Sequence, residues 1–422
     1  MPQQIDTVVV FGDSLSDIGR KWTTKAGKMA RATGQMTVNE TGRFSDCRNW
    51  CDYMVEAATG QSLVVHSAAG SIAASSMHLT LGAESGFACT NPFQYVNYAE
   101  GGACGDTPYA TGKRPFLSTF KEEVDWFETD LNTHMPVLGH TLFLVWFGAN
   151  DLYTAGRPAS EMPNVAREVA VNQRARLSQL VRGRGGTARF IFINLARPLT
   201  SVRYTNQITQ VEAGLVAELG LTRPAATSPQ GAGNLWYAKQ ALVQAAAQGR
   251  TGGRFTSVGR AIRNLEEKLA QIKEFEKGVM NYNVALAACA EQQRDRVAEI
   301  GCLLSEHSIS RLILGNNGLT AGAMTGAAAH TAAAAYGPAA RPVTTSDEVH
   351  PTDHMYKIIW GEIREEIRRA DCTFGQLDGA VNVSTLAAAA GPDAFTRHGM
   401  GGVLNELLTR RPVLRPVTPA RR

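Results

Sequence analysis

The chain has 422 residues, and its 42 Lys and Arg against 38 Asp and Glu leave a net charge of +4. This charge is too small and too dispersed for a protein that binds nucleic acid through its phosphates, so we expect no nucleic-acid partner. With 44% hydrophobic and 19% charged residues, the composition is that of an ordinary globular protein and excludes a disordered or collagen-like chain.

The apolar segments are too short to span a bilayer. The longest run, residues 142–147, falls far below the ~20 residues that a transmembrane helix needs. The N-terminus goes from Asp6 into the apolar run 8–11 without the basic region and the long apolar region of a signal peptide. We therefore expect no membrane span and no signal peptide, and either a cytoplasmic location or secretion into a host cell by a signal-independent route.

The cysteines indicate neither a disulfide framework nor a metal site. Seven is an odd number, and the chain is large enough to build a core without disulfides. Cys47 and Cys51 lie four residues apart, but no second pair or nearby histidine completes a zinc set. We expect neither a metal nor another cofactor.

The first 200 residues predict strands that alternate with helices. A β-branched and aromatic run, residues 7–11, stops at Gly12 and is followed by the helix-start residues Ser14, Ser16 and Asp17. Further strands are predicted at 63–66, 141–147 and 189–195, and helices at 119–131 and 166–181. Such apolar strands are typically buried on both faces, and their alternation with helices predicts a mainly parallel sheet covered by helices.

After Pro198 the pattern changes. Residues 201–257 are rich in Gly, Ala, Gln and Thr, with helical order only at 235–247, and are interpreted as an insertion. A strong helix is predicted at 258–299, with an interruption at Gly278.

The last quarter of the chain contains two segments of biased composition. Residues 315–346 are dominated by Ala, Gly and Thr, and a helix at 352–369 follows. Residues 373–422 carry scattered prolines and arginines and are expected to form a partly disordered appendage. The predicted organisation is one domain over residues 5–372 with two internal segments, followed by the appendage.

The turn after the first strand could carry a nucleophile. It reads Gly12, Asp13, Ser14, Leu15. A serine between a strand and a helix lies where backbone N–H groups and the positive end of a helix dipole converge, which stabilises an alkoxide or oxyanion formed there. The alternative is that Asp13 or Ser14 merely caps a helix.

Two further turns could supply oxyanion donors. The third predicted parallel strand ends at Gly148, and Asn150 and Asp151 follow at the same sheet edge as Ser14. The Asn150 side chain could donate to an oxyanion, although Asn and Asp are also ordinary turn and cap residues. The glycine pair 101–102 lets the backbone approach a ligand closely, as a main-chain donor requires, or is an ordinary loop pair.

A histidine near the C-terminus could act as a base. His350 precedes the predicted helix at 352–369, and Asp347 lies three residues earlier. At a helix entry this spacing puts both side chains on one side of a turn, so the acid can hold the imidazole tautomer while the other nitrogen faces a serine. The alternative is a surface acid beside a loop histidine.

The order of these blocks resembles that of the GDSL or SGNH hydrolase family. The resemblance implies an α/β fold, a three-layer α/β/α SGNH hydrolase (flavodoxin-like), with a mainly parallel central sheet and helical insertions. It also implies a serine esterase in which Ser14 attacks an ester carbonyl, His350 is the base and Asp347 is its partner. The blocks that carry the resemblance are 12–15, 97–103, 148–151 and 347–350.

The resemblance also implies the binding residues. The oxyanion donors would be the N–H groups of Ser14 and Gly102 and the side chain of Asn150, with Gly101 as the alternative to Gly102. Four side chains beside these blocks are weaker candidates for substrate contact: Asp13, Phe44, Trp50 and Asp151.

A second set of residues resembles the lipolytic branch of this family, which includes lecithinases, haemolysins and glycerophospholipid:cholesterol acyltransferases. The set comprises residues 42–45 with Asn49 and Trp50, the block 97–103 and the stretch 193–195. This likeness implies phospholipid deacylation with transfer of the acyl group to water or to an alcohol such as cholesterol. The unsignalled start resembles acyltransferase effectors that bacteria inject into host cells.

Two other functions fit the same residues. A carbohydrate O-acetylesterase would use the same triad in a shallower pocket, and an inactive relative would use the fold as a binding module. The expected partner is a lipid or another ester substrate, with peripheral contact to a membrane surface, and an injected effector would also have a host-cell partner.

Overall fold

The computed structural model places 11 segments of the chain. The described residues are 2–32, 36, 38–45, 47–66, 72–74, 87–89, 93–107, 117–133, 139–196, 253–300 and 349–377. The predicted segment 315–346, residues 201–252 of the predicted insertion and residues 378–422 of the predicted appendage lie outside them.

Ten strands are present in the described part of the chain. They are β1 (Gln3–Gln4), β2 (Thr7–Gly12), β3 (Val64–His66), β4 (Ile72–Ala74), β5 (Phe87–Cys89), β6 (Gln94–Asn97), β7 (His140–Trp146), β8 (Thr187–Ile193), β9 (Arg296–Ala298) and β10 (Cys372–Thr373).

Nine α-helices accompany them in the same described ranges. They are α1 (Arg20–Thr23), α2 (Lys25–Ala32), α3 (Trp50–Thr59), α4 (Phe120–Thr133), α5 (Ala149–Tyr153), α6 (Met162–Arg167), α7 (Arg174–Arg182), α8 (Gly253–Gln293) and α9 (Asp353–Arg369). A π-helical stretch, Glu168–Gln173, joins α6 to α7.

The central sheet has six strands in the order β5-β6-β2-β7-β8-β9. All neighbours are parallel except β5, which runs antiparallel to β6 at the edge. Helix α3 packs against α9, while α8 packs against α6, and α9 and α8 both contact β9. The prediction of a mainly parallel sheet covered by helices is therefore confirmed.

The core lies on both faces of the two central strands. Every residue of β2 is buried, as is every residue of β7 except His140. Phe11 packs against four aromatic rings at centroid distances of 5.3 to 6.0 Å, namely those of Tyr98, Phe120, Phe127 and Phe143. Such aromatic pairs each add about 0.5–1.5 kcal/mol beyond their buried area, so they fix the end of β2 on which the candidate site depends.

The predicted strand at 63–66 does not join the central sheet. The predicted segment 63–66 contains β3, but β3 pairs antiparallel with β4 in a separate sheet, and Val65 is exposed. The neighbours of β2 are β7 and β6, and β6 lacks a long apolar run. Its end residue Asn97 is buried because its side-chain N–H groups bond to the Ser16 carbonyl and the Tyr95 hydroxyl.

Helix α8 differs from its prediction in three ways. It begins at Gly253, inside the predicted insertion 201–257, and not at residue 258. It runs without interruption through Gly278, where an added Cβ would lie 2.6 Å from Leu152, so the glycine permits close packing rather than a break. It ends at Gln293, before the predicted end, because Arg294 adopts a left-handed φ of 59°. The residues beyond it form β9, which pairs with β8, so a tertiary contact replaces the predicted helix.

The two ends of the described chain pack together. β10 pairs in parallel with β1, and the ring of Phe374 lies 4.9 Å from that of Phe93. Packing among the described residues therefore continues beyond residue 372 to the buried Leu377.

Candidate active site

Ser14 lies just beyond the end of β2 and contacts His350. The Ser14 Oγ is 2.8 Å from Nε2 of His350, although the two residues are 336 positions apart in the chain. Both side chains are partly exposed. The pair is therefore within reach of a bound molecule, and its distance allows proton transfer from the hydroxyl to the imidazole.

The turn at Ser14 does not begin a helix, in contrast to the prediction. The Asp13 carbonyl accepts the N–H groups of Ser16 and Asp17 at 3.0 Å, which closes a single turn. Helix α1 begins only at Arg20, whose N–H donates to the Asp17 carboxylate at 2.7 Å. Helix α1 therefore does not place its N-terminus at Ser14, and the turn itself offers only individual N–H donors to an oxyanion.

Within the described structure the backbone N–H groups of Ser14 and Gly102 make no hydrogen bond, and Gly102 follows Gly101, which is bonded to Asp17 of the nucleophile turn. Gly102 has φ +91°, a conformation that favours glycine, and an added Cβ would lie 3.1 Å from Leu117. The N–H of Gly101, by contrast, already donates to Asp17 at 2.8 Å. Of the two glycines, it is therefore Gly102 whose N–H group can donate to a ligand.

Asp17 fixes the position of the glycine pair. Its fully buried carboxylate accepts four backbone N–H groups at 2.7 to 3.0 Å, those of Gly19, Arg20, Lys21 and Gly101. Burial raises the pKa of Asp17 to about 6, while the bonds from Gly101 and Gly19 oppose this rise. The nucleophile turn and the glycine loop are therefore tied to one carboxylate.

Glu123 ties the same two segments together from the other side. Its buried carboxylate accepts the N–H of Gly12 at 3.0 Å and that of Glu100 at 3.2 Å. Burial raises the pKa of Glu123 well above its usual range. The side chain of Glu100 in turn forms an ion pair of 2.6 Å with Lys21.

Asn150 lies on the second residue of α5, beside Ser14. Its Nδ2 donates to Oδ2 of Asp13 and to the carbonyl of Ala103, both at 3.2 Å. Its Oδ1 accepts the hydroxyl of Thr154 at 2.9 Å. The Asn150 amide therefore links the nucleophile turn, the glycine loop and α5.

Asp151 lies behind this group and is fully buried. It accepts the N–H of Gly105 at 2.7 Å and that of Asp106 at 3.1 Å, and it lies 4.0 Å from Arg157. Burial raises the pKa of Asp151 to about 6, against the lowering effect of these N–H groups. Asp151 thus holds the segment that follows Ala103.

His350 packs on Phe44 and precedes α9, whose first residue is anchored to Arg48 and Tyr53. Its ring packs on Phe44 at a centroid distance of 4.9 Å. Asp353, at the start of α9, accepts the backbone N–H and the Nε of Arg48 at 3.1 Å and the hydroxyl of Tyr53 at 2.8 Å. The predicted partner of the histidine, Asp347, lies outside the described residues.

The four weaker substrate candidates occupy different depths. Phe44 is nearly buried and lies between His350 and Gly101, where an added Cβ would be 2.5 Å from the ring. Trp50 is completely buried and donates its indole N–H to Ser16. The carboxylates of Asp13 and Asp151 are also buried. In this structure Trp50 and Asp151 support the site from the interior rather than facing it.

The arrangement matches a known family. The sequence model of the GDSL-like lipase/acylhydrolase family matches residues 8–363. The chain belongs to this family. Its members share the SGNH α/β hydrolase fold, and the parallel sheet agrees with it. Family membership assigns ester hydrolysis as the general activity and does not distinguish the lipolytic branch from others. No curated protein sequence matches the chain.

Two further properties of this GDSL-family chain concern its described residues alone. None of their helices has both the length and the apolar character that a membrane crossing requires. Nor do they contain a group of three or more His, Cys, Asp and Glu side chains arranged to hold a metal ion.

The sequence did not point to the carboxylates that organise this hydrolase site. Asp17 was visible only as a helix-start residue, and its spacing of two from Gly19 is the one local sign that it binds backbone N–H groups. Glu123 contacts Gly12 across 111 positions and gives no local sign. Both act through backbone donors, which no residue pattern reveals.

Proposed function

We propose that this protein is a serine esterase that deacylates phospholipids through an acyl-enzyme on Ser14 and passes the acyl group to water or to an alcohol such as cholesterol. The observation that carries the proposal is the 2.8 Å contact between Ser14 Oγ and His350 Nε2, beside the unbonded N–H of Gly102.

In the first step His350 removes the hydroxyl proton of Ser14 while the Oγ attacks the ester carbonyl. The contact distance supports direct transfer to Nε2. The resulting imidazolium is next to the buried Asp13 carboxyl, whose pKa is lowered by the histidine charge although burial raises it overall. Asp347 would orient the other ring nitrogen, as its place in the sequence implies.

The tetrahedral oxyanion would accept hydrogen bonds from the backbone N–H groups of Ser14 and Gly102 and from the side-chain amide of Asn150. The first two donors need no rearrangement, because neither is used within the described structure. One such donor is typically worth about 10²–10³ in rate. Asn150 and the glycine pair belong to segments that are hydrogen-bonded to the nucleophile turn, which supports an acyl-transfer reaction over a binding role.

Collapse of this intermediate expels the alcohol of the ester, which takes the proton from His350, and leaves the acyl group on Ser14. A second nucleophile then gives its proton to His350 and attacks the acyl-enzyme. Water as this nucleophile yields a fatty acid, and a sterol hydroxyl yields a sterol ester.

Apolar side chains around the pair favour an acyl chain over a sugar. Leu15 follows the nucleophile and Leu117 borders Gly102, both partly exposed, and Val349 beside the histidine is 40% exposed. Phe44 completes this rim against the imidazole. These contacts, with the resemblance of residues 42–45 and 97–103 to the lipolytic branch, support the phospholipid substrate.

The test uses phosphatidylcholine vesicles that contain cholesterol. The purified protein, Ser14→Ala and the matched control Ser178→Ala are incubated with them, and fatty acid and cholesteryl ester are separated. Ser178 is suited as a control because its buried hydroxyl makes no hydrogen bond in the structure. We expect both products from the protein and the control, and neither from Ser14→Ala.

The other outcomes are also informative. Fatty acid without cholesteryl ester would restrict the proposal to a phospholipase. Cleavage of an acetylated sugar, with no lipid product, would select the carbohydrate O-acetylesterase. Turnover that survives in Ser14→Ala would overturn the mechanism.

A further inference from the structure

Both hydrogen atoms of the Asn150 side-chain amide already form hydrogen bonds in the free protein. An amide nitrogen carries two donors, and Nδ2 of Asn150 uses them on Asp13 and on Ala103. The hydroxyl of Thr154 donates to the oxygen of the same amide, so the amide group cannot flip without losing this hydrogen bond as well. An oxyanion can therefore receive Asn150 only if one of the two existing bonds is shared or exchanged.

Of the two acceptors, Asp13 is the one that can change. The Ala103 carbonyl belongs to a fully buried residue whose own N–H is bonded to Glu100, so this acceptor is fixed. The Asp13 carboxyl is ionisable, directly precedes Ser14, and takes one other hydrogen bond, from the N–H of Leu15 at 3.0 Å. Both bonds of the amide are long, at 3.2 Å, which is the weak end of the normal range.

We propose that Asp13 is a positioning residue: its ionised carboxylate holds the Asn150 side chain where it can donate to the oxyanion. The reaction therefore requires a charged Asp13 as well as a neutral His350. This inference rests on the proposed function, because it concerns the same site. It differs from the substrate contact expected for Asp13, since the buried carboxylate acts through Asn150.

Four titratable groups among the described residues face Asp13. They are His350 from the loop before α9, Asp151 from α5, Cys104 from the glycine loop and Tyr282 from α8. Burial raises the pKa of Asp13 to about 7, and the Leu15 N–H and the charge of His350 oppose this rise. Below this pH the charge-assisted bond to Asn150 is replaced by a weaker neutral one.

Asp13→Asn separates the charge of this side chain from its shape. The single oxygen of the new amide can accept either Leu15 or Asn150, and its NH₂ would then face another donor. We therefore expect the variant to lose its hold on Asn150, with kcat/KM for p-nitrophenyl butyrate reduced about 10- to 100-fold.

A double-mutant cycle tests whether Asp13 acts through Asn150. We expect Asn150→Ala to lose about 10²–10³ in kcat/KM, and Asp13→Asn/Asn150→Ala to be no slower than Asn150→Ala. A double variant that loses the product of the two single effects would overturn the inference, because the residues would then act independently. Asp125→Asn is the matched control, since it makes the same change on a surface side chain of α4.

The pH profile supplies a second readout that a purely structural role would not move. Between about pH 5 and pH 9 we expect the acid limb of kcat/KM to be steeper in the parent protein than in Asp13→Asn or in Asn150→Ala, because the ionisation of Asp13 then no longer affects the rate. If Asn150→Ala keeps the steep limb and Asp13→Asn alone loses it, Asp13 acts on His350 and the inference is wrong. Asn150→Ala carries this test even if Asp13→Asn does not fold.

Failure of this inference can be told apart from failure of the proposed function. An ester turnover that survives in Ser14→Ala contradicts the function itself. Turnover that depends on Ser14, together with independent effects of Asp13 and Asn150, contradicts only the positioning role.

Discussion

The two sides of the site are held by different kinds of interaction. On the nucleophile side (residues 12–17, 101–106 and 150–151), buried carboxylates bind backbone and amide N–H groups. On the base side (Phe44, Arg48, Tyr53 and residues 349–353), the ion pair of Arg48 with Asp353 has exposures of 26% and 24%, and His350 packs on Phe44.

This difference has consequences for pH and for salt. Burial raises the pKa of Asp13 to about 7 and that of Asp17 and Asp151 to about 6, so the nucleophile side titrates near neutrality. An accessible ion pair is screened by salt, whereas buried groups are screened much less. We therefore expect pH to act on the buried carboxylates of the nucleophile side, and salt to act mainly on the ion pair of the base side.

The largest effect is expected from Gly102→Ala. Both Gly102 (φ +91°) and Gly156 (φ +70°) adopt left-handed backbone, so alanine at either position costs stability by about 1–2 kcal/mol. Only at Gly102 does the new Cβ meet Leu117 and shift the free N–H, and we expect a loss of about 10²–10³ in kcat there. Steady-state kinetics on Gly102→Ala and Gly156→Ala test this, and equal losses would remove the donor role.

The next effect concerns stability and not rate. Because the folded-state pKa of Asp13 is raised, the folded protein binds more protons than the unfolded chain between about pH 4 and pH 7. The contribution of Asp13 to stability is present at acid pH and is lost as the pH rises through about 7. Relative to the parent, Asp13→Asn should thus gain stability between pH 4 and pH 8, by at most about 4 kcal/mol.

Urea unfolding of the parent, Asp13→Asn and Asp125→Asn at pH 4 and at pH 8 measures this gain in stability. If the difference in unfolding free energy between the parent and Asp13→Asn is the same at both pH values, the pKa of this carboxyl is not raised. The two sides of the site would then not differ in their response to pH.

A smaller effect is expected on the base side from Asp353→Asn. The change removes the ion pair with Arg48 and weakens one of the bonds that orient the start of α9, at a cost of about 1 kcal/mol. We expect kcat to fall a few-fold with KM unchanged, and the salt dependence of kcat to disappear. Glu365→Gln, which breaks an exposed pair with Arg368, is the control. A salt dependence that persists in Asp353→Asn would contradict the assignment.

The smallest effect is expected from Thr154→Val, which removes the bond from the hydroxyl to Asn150 but leaves both of its acceptors in place. We expect a loss of about 2- to 5-fold in kcat, because a neutral hydrogen bond contributes about 1 kcal/mol. Thr154→Ser keeps the hydroxyl and should restore the rate. Equal rates in both variants would mean that Asn150 is held by Asp13 and Ala103 alone.

Much of the fold follows from local sequence pattern. The apolar runs that become β2, β7 and β8 and the helical periodicity of α4 and α9 need only neighbouring residues to be recognised. Strand β6 was missed because four residues with polar ends carry no such pattern, and β9 because its pairing with β8 overrides a helical sequence.

The sequence by itself determined that Ser14 and Asn150 meet at the carboxyl edge of the sheet. They follow β2 and β7, two predicted strands, and parallel strands bring their ends to one edge. Gly102 follows β6, which only the structure identifies as a strand of this sheet. His350 has its local signal in the helix entry that follows it.

Only the tertiary structure decided how these groups are held and which donors remain free. Whether Gly101 or Gly102 keeps an unused N–H depends on Asp17, and whether the Asn150 amide is occupied depends on Asp13 and Ala103. The reason is that a hydrogen bond between distant segments depends on distances of a few tenths of an ångström, which packing of the whole domain sets and no local pattern encodes.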